Sequence, residues 1–310
     1  MTHPVKMGVV GLGQWGRHHV RILSHFPGVE LTGIVDRDGR EAMHLAHRYE
    51  TRPFRDYHDL LGQVEGVTIA VPTALHYEIA RDFLEAGAHV LVEKPMTTRA
   101  EEAARLVNLA AARDRILLVG HIERFKPAVQ RVFSLVREPL SIEARRMRPY
   151  DAARTMDVGV VMDLMIHDID IVQSMLPGRF DDLHAIGVCV HNSHEDLAVA
   201  RLRMDNGCLV TLTASRVAAK KTVEMEITMR DRSIHLDLLR QTILIHFFNG
   251  ETQRITVEGQ EPLELELAHF VDCIRGGAQP LVTGEDGRRS LEVTEALLVR
   301  MVRITPPLRV

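Results

Sequence analysis

The apolar positions of this chain follow two rhythms, and the change from one to the other falls near residue 122. Before it, short apolar runs alternate with stretches whose apolar residues recur at helical spacing. Residues 5–10 precede a helical pattern at 17–26, residues 29–35 one at 40–49, and residues 66–71 one at 74–86 that stops at Gly87. Residues 90–92, 100–112 and 116–119 continue the series as strand, helix and strand. Such alternation predicts an α/β domain built on a doubly wound parallel sheet.

After residue 122 one helical segment, 161–176, is followed by β-rich stretches at 183–190, 197–204, 208–215, 223–229, 233–238, 242–247 and 253–257. Turn signals separate them, among them Asp205-Asn206-Gly207 and Asn249-Gly250. Two helical patterns, 262–275 and 286–302, close the chain on either side of Gly276-Gly277. The expectation is an α+β domain with a large, mostly antiparallel open sheet. The predicted domains are 1–122 and 123–310, tightly joined with a cleft between them.

The first strand runs into Gly11-Leu12-Gly13-Gln14-Trp15-Gly16 and then into a helix. In a strand-turn-helix unit the first glycine makes the turn, the second admits a pyrophosphate to the backbone, and the third lets helix and strand approach, while the helix N-terminus supplies amides for the phosphate charge. The second strand ends in Asp36, about twenty residues further on, where a carboxylate can accept from a ribose 2′-hydroxyl. A dinucleotide-binding Rossmann domain follows. Asp36 favours NAD over NADP, because it repels a 2′-phosphate; Arg37 beside it could lie over the adenine or neutralise that phosphate.

Composition narrows the classes. The chain has 310 residues, 45% hydrophobic and 26% charged, which is ordinary globular usage and enough for two cores. No charged-then-apolar leader and no apolar run of bilayer length is present, so a cytoplasmic protein without a membrane partner is expected. A net charge of −4 offers no global field for nucleic acid. Cys189, Cys208 and Cys273 are widely spaced and read as small buried residues. Seventeen histidines, densest at His191-Asn192-Ser193-His194-Glu195, show no recurring ligand spacing, and no metal is expected.

Chemistry-bearing residues gather at two further places. Lys94, in Glu93-Lys94-Pro95, follows a strand of the doubly wound half, where ligands collect, and a cation there can stabilise developing alkoxide charge. Asp163 and His167 stand at i and i+4, so on a helix they share a face. A histidine can take a proton near neutral pH, and a neighbouring carboxylate can hold its tautomer. His167 is therefore the expected general base, with Asp163 orienting it or contacting substrate. Asp168 and Asp170 fall on other faces and read as polar or interdomain contacts. Upstream, Arg145, Arg146, Arg148, Tyr150 and Arg154 read either as a loop whose arginine forks suit a diphosphate or as a charged edge strand.

Six ordered pieces carry a resemblance to the glucose-fructose oxidoreductase, inositol dehydrogenase and rhizopine-catabolism (Gfo/Idh/MocA) family along essentially the whole chain. They are the glycine turn, Val71-Pro72-Thr73-Ala74-Leu75-His76, Glu93-Lys94-Pro95, the run from Gly120 to Pro127, the run from Asp163 to His167, and Thr283-Gly284-Glu285-Asp286-Gly287-Arg288. The resemblance implies a Rossmann domain plus a substrate domain, NAD or NADP, and oxidation of a sugar or cyclitol hydroxyl. It adds Gln14, Trp15, Pro72, Thr73, His76, Glu93 and Lys94 to the cofactor contacts, makes Lys94 catalytic, and adds Arg124 to Arg148, Tyr150, Arg154, Asp163 and His167 on the substrate side. The runs 120–125 and 157–164 look most like the branch that oxidises the 3-hydroxyl of UDP-N-acetylglucosamine, whose ketone a separate PLP aminotransferase would use. Self-association into a homo-oligomer is also implied. A dehydrogenase of a free sugar or inositol, a biliverdin-reductase-like enzyme and a non-catalytic NAD-binding sensor or scaffold are the competing readings.

Overall fold

The computed structural model describes residues 3–152, 158–191 and 193–305. In chain order the regular elements begin with β1 (Val5–Val10), α1 (Gln14–Leu23), β2 (Val29–Val35), α2 (Gly39–Arg48), β3 (Pro53–Phe54), β4 (Gly66–Ile69) and α3 (His76–Glu85). Then come β5 (His89–Glu93), α4 (Ala100–Ala112), β6 (Leu117–Gly120), α5 (Pro127–Leu135), β7 (Ser141–Met147) and α6 (Ile166–Met175). Next are β8 (Phe180–Val188), β9 (Leu197–Met204), β10 (Leu209–Ser215), β11 (Thr222–Thr228), β12 (Arg232–Asp237), β13 (Thr242–Phe247) and β14 (Thr252–Thr256). The chain closes with α7 (Pro262–Ile274), α8 (Gly284–Arg300) and β15 (Val302–Ile304). No helix of the described residues is long and apolar enough to cross a membrane.

The residues form two compact units, Met1–Ile122 with Gln260–Arg289, and Glu123–Gly259 with Ser290–Val310. In the first unit six parallel strands lie in the order β3-β2-β1-β4-β5-β6. β1 and β4 are neighbours although two strands intervene in sequence, so the crossover direction reverses there and a crevice opens at their carboxyl ends. Strands this deeply enclosed need no alternation. All four residues of β4 and of β6 are buried, which explains their continuous apolar runs.

The segment 260–289 belongs to this first unit rather than to the second domain that sequence spacing suggested. Leu263, Leu267, Phe270 and Val271 put one stripe of α7 into the cluster formed by Met7 and Val9 of β1 and Val20 and Leu23 of α1. The stripe itself is local and legible. Its partner is more than 200 residues away, and no spacing rule names it.

The second unit is a nine-stranded sheet in the order β14-β13-β12-β11-β7-β10-β9-β8-β15, antiparallel except at β7–β10 and β8–β15. One face is apolar and packs against helices, with Val129 and Val132 of α5, Ile169 and Val172 of α6 and Leu297 of α8 in the same core as Ile142, Leu212 and Ile234. Here the strands do alternate, as β7 and β11 show residue by residue.

β7 is neither a loop nor an edge strand. It lies between β10 and β11, so the period of two sends neighbouring arginines to opposite faces. Arg145 points outward, 3.8 Å from Glu224. Arg146 is 6% exposed and turns inward, where Nη2 lies 2.8 Å from Asp168 Oδ1 and Nη1 lies 3.3 Å from Glu123 Oε1. Lys126 Nζ completes the group at 3.0 Å from Glu123 Oε2 and also donates to the Leu238 carbonyl. Asp168 is thus an internal ion-pair partner within the second unit. Desolvation raises its carboxyl above the ordinary range against the pull of Arg146. At Glu123 desolvation also pushes upward, but Arg146 and Lys126 together outweigh it and hold the carboxyl low.

Two stability measurements check this account. Phe270→Ala should cost about 3–5 kcal/mol in urea unfolding of the first unit, the range for deleting a fully enclosed phenyl ring. Arg146→Met should cost about 3–5 kcal/mol at neutral pH, because it leaves Asp168 buried without its cation and Glu123 with Lys126 alone. That deficit should narrow as the pH falls, since protonation removes the uncompensated charge.

Candidate active site

Close backbone approach dictates the glycine turn. Gly11 sits at φ +91°, and a Cβ there would lie 2.6 Å from the Ala70 carbonyl oxygen. A Cβ on Gly16 would lie 1.7 Å from the Gly11 carbonyl oxygen, so any side chain would force α1 away from the turn. Gly13 faces open space. α1 has no side-chain cap and no acid in its first turn, which leaves its positive end suited to an anion. Gln14 and Trp15 are exposed at the same end.

Asp36 has a structural role that the sequence did not reveal. Its Oδ2 accepts from the Leu12 amide at 2.7 Å and its Oδ1 from the Asp38 amide at 2.8 Å. The carboxylate thereby ties the glycine turn to the end of β2 and keeps lone pairs for further donors. Both Asp36 and Arg37 line a cavity of about 490 Å³ with Gly11, Gly13, Val71 and Pro72. Arg55, Tyr57, His58 and Glu78 line it too and were not foreseen. The position of Arg55 to His58 at the carboxyl end of β3 could have drawn attention to them. Tyr57 stacks on His58 with ring centroids 4.1 Å apart and donates to Asp82 Oδ2 at 2.7 Å. Asp56 accepts from the His58 backbone amide and meets its ring, which holds the carboxyl below its ordinary value; the same contact raises the imidazole.

Lys94 leaves the end of β5 half-buried, and the Lys94–Pro95 peptide is cis. Glu93 beneath it is 8% exposed, and its Oε2 accepts from the Lys94 amide at 3.3 Å. His19 of α1, fully buried, brings Nε2 to 3.2 Å from Glu93 Oε1, within ion-pair range but off the line of a hydrogen bond. His76 is 1% exposed, and its ring spans the Val71 carbonyl (2.9 Å) and the Pro95 carbonyl (2.8 Å). It ties the β4 loop to the Lys94 turn. Thr73 is buried in the 3-10 turn Thr73–Leu75 that opens this loop. Glu93 and His76 thus have interior partners, a feature that motif matching alone does not disclose.

In the second unit, Val161–Met165 form a π-helical turn ahead of α6. The Ile166 amide donates to the Val161 carbonyl, five residues back. The wider turn keeps Asp163 and His167 on nearly one side, and π turns recur where a helix must re-aim a side chain. His167 is 8% exposed, in the first turn of α6. Arg148, just past β7, places Nη2 3.5 Å from Asp163 Oδ2. Tyr150 follows at 41% exposure, its ring 3.9 Å from that of His191. Arg124 is 7% exposed, with Nη1 3.5 Å from Asp170 Oδ1 and a hydrogen bond to Ser174. That guanidinium is committed inside its unit, unlike a cation held ready for substrate, and Asp170 is likewise internal. Arg154 lies outside the described residues.

The start of the π turn is anchored by residues to which the sequence assigned no such role. Glu195 Oε1 accepts from the Val161 amide at 3.1 Å, and the Glu195 carbonyl accepts from the Val160 amide. Asp196 and Arg216 are fully buried, with Arg216 Nε 2.6 Å from Asp196 Oδ1 and Nη1 donating to the Val158 carbonyl. Among the described residues, no group of three His, Cys, Asp or Glu side chains could hold a metal ion. The open face of Gly13, the uncapped end of α1 and the tethered Asp36 fit a dinucleotide.

Comparison with known proteins agrees with this reading. Residues 5–121 match the model of the oxidoreductase family with an NAD-binding Rossmann fold, and residues 136–235 match the GFO/IDH/MocA C-terminal domain. The UDP-N-acetylglucosamine 3-dehydrogenase of Acidithiobacillus ferrooxidans is 32% identical over 97% of both chains. Its solved structure covers 97% of this chain and 98% of its own at a TM-score of 0.92. The scyllo-inositol 2-dehydrogenase (NAD(+)) of Bacillus subtilis is 26% identical over 94% of this chain and 93% of its own. A 3-ketoreductase of Actinomadura kijaniata, solved with TDP-benzene and NADP, shares the fold at a TM-score of 0.88 and 21% identity, covering 98% of this chain and 100% of its own. With the parallel sheet, the glycine turn and a relative at this identity along nearly the whole length, the chain belongs to the Gfo/Idh/MocA family and is an NAD(P)-dependent dehydrogenase acting on a hydroxyl-bearing carbon.

Proposed function

We propose that the protein oxidises the 3-hydroxyl of UDP-N-acetylglucosamine to the ketone, with NAD as the preferred cofactor. The observation that carries the substrate is the full-length likeness to the Acidithiobacillus ferrooxidans enzyme. Nicotinamide, when bound, takes up the hydride. His167 accepts the hydroxyl proton, Asp163 holds the ring or the sugar, and Arg148 balances the aspartate's charge. The Lys94 ammonium stabilises negative charge as it develops on the oxygen. Arg148, Tyr150 and Arg154 are the side chains assigned to the diphosphate and its nucleoside. A ketone beside an N-acetyl group is a substrate for a PLP aminotransferase, the class of enzyme expected to consume the product.

The preference for NAD rests on Asp36. Two backbone amides hold its carboxylate in place, so a 2′-phosphate would meet a charge that cannot swing aside. Arg37 and Arg55 in the same cavity favour the opposite choice, and their positive charge makes NADP the second reading.

Absorbance of reduced nicotinamide should rise when the protein is mixed with NAD and UDP-N-acetylglucosamine, with an aminotransferase and amine donor drawing off ketone. Free N-acetylglucosamine and myo-inositol should give little. A signal from the free polyols alone would remove the sugar nucleotide and keep the chemistry. Lys94→Ala and His167→Ala should each lower kcat by about 10²–10⁴ while NAD affinity stays within a few-fold; loss of NAD binding in both would sink the assignment of roles. For Asp36→Asn, the NAD over NADP preference should fall by about tenfold, equivalent to ~1.4 kcal/mol.

A further inference from the structure

α7 carries a carboxyl where its pattern calls for an apolar side chain. Leu263, Glu266, Leu267, Phe270, Val271 and Cys273 form its buried stripe. Glu266 is fully buried, and neither carboxyl oxygen has a hydrogen-bond partner among the described residues. An ionised carboxylate in such a place would cost far more than the helix could recover, so the group resolves the conflict by keeping its proton. The charge that bears on it is negative. Burial pushes its carboxyl well above the ordinary range, and Glu93 adds to the shift.

Glu93 is already engaged. Its two oxygens meet His19 and the Lys94 amide, and the carboxylate lies so close to Gly120 that a Cβ there would come within 3.0 Å of Oε2. The other charged groups around α7 lie elsewhere. Arg21 of α1 pairs with Glu261 at the exposed start of the helix, His269 accepts from the Leu281 amide, and Arg275 donates to the Gly28 carbonyl. Glu264 and Asp272 belong to α7 outside its buried stripe. None of the described contacts supplies a cation to Glu266.

We propose that Glu266 is a proton-holding positioning residue: it stays neutral within the field of Glu93, so that Glu93 bears the negative charge beneath the Lys94 turn alone and keeps that turn in place. A second negative charge would drive Glu93 from His19 and from the Lys94 amide. The turn is thereby coupled to the proton on Glu266, and alkaline pH loosens it. The functional half rests on the catalytic reading of Lys94; the protonation half does not.

Thermal unfolding of the wild type, Glu266→Gln and Glu266→Leu, measured without ligands from acid to alkaline pH, tests the proton. A carboxyl raised in the folded state contributes stability below its unfolded pKa and loses it as the pH climbs through the folded value. The gap between the wild type and Glu266→Gln should therefore be smallest in acid and widen with pH, the wild type falling behind. Glu266→Leu, with neither charge nor donor, should show the same flattened dependence, which guards against a fault peculiar to glutamine. A gap that stays constant or narrows would overturn the proposal. NAD titration followed by the fluorescence of Trp15, the only tryptophan of the chain, and kcat against pH with NAD and UDP-N-acetylglucosamine test the turn. Glu266→Gln should hold affinity and kcat into the alkaline range where the wild type loses them; coincident profiles would refute the positioning role. Full turnover by Lys94→Ala would instead refute the catalytic reading and leave the unfolding comparison to decide the proton.

Discussion

Arg146 is the side chain on which the order of the second unit depends. It stands in a central strand, turned into the core, with Asp168 on one side and Glu123 on the other. Its removal from water is tolerable only because these two carboxylates, with Lys126 beside Glu123, make a group of two positive and two negative charges. The price of that neutrality is fixed geometry. A guanidinium that bonds Asp168 through Nε and Nη2 sets the distance and roll of α6 against the sheet. His167 is the preceding residue, so its direction follows from the same contact.

The two ends of the Asp163 to His167 stretch are held by different means. Asp168 anchors the downstream end through Arg146, while Glu195 receives the amide of Val161 at the upstream end. Asp196 and Arg216, fully buried and mutually paired, fix the segment ahead of β9 from which Glu195 reaches. Between these anchors the backbone takes a π turn. A helix that must satisfy both ends in a given length can absorb an extra residue in this way, and the register of Asp163 to His167 shifts as a result. The i, i+4 spacing in the sequence captures their common side. It does not contain the wider turn.

What the sequence disclosed follows how local each signal is. The glycine turn, Asp36 and the alternation of strand and helix are local, because Gly11, Gly16 and Asp36 fall within one βαβ unit. The antiparallel sheet was legible for the same reason, its alternation being intrinsic to each strand. Arg146 was not, since Arg145 and Arg146 look alike until the strand's place in the sheet decides which one faces inward. Arg124 resembles a substrate cation in a motif and is an ion-pair partner of Asp170 in the fold. α7 announced its helical pattern but not its destination, and so nothing in the sequence set Glu266 apart.

Both units place buried ionisable groups next to a residue to which the proposed chemistry is assigned, and the two solutions differ. Around Asp168 the charges are paired, and pairing fixes geometry over a wide pH range because Arg146 keeps its proton throughout. Among the described contacts Glu93 has no guanidinium of this kind. The group that meets its Oε1 is the His19 imidazole. A second acid next to such a site is compatible with folding only in its neutral form. The Lys94 turn therefore rests on proton occupancy and the His167 helix on ion pairing, so the two should respond differently to pH although each is built from equally buried residues.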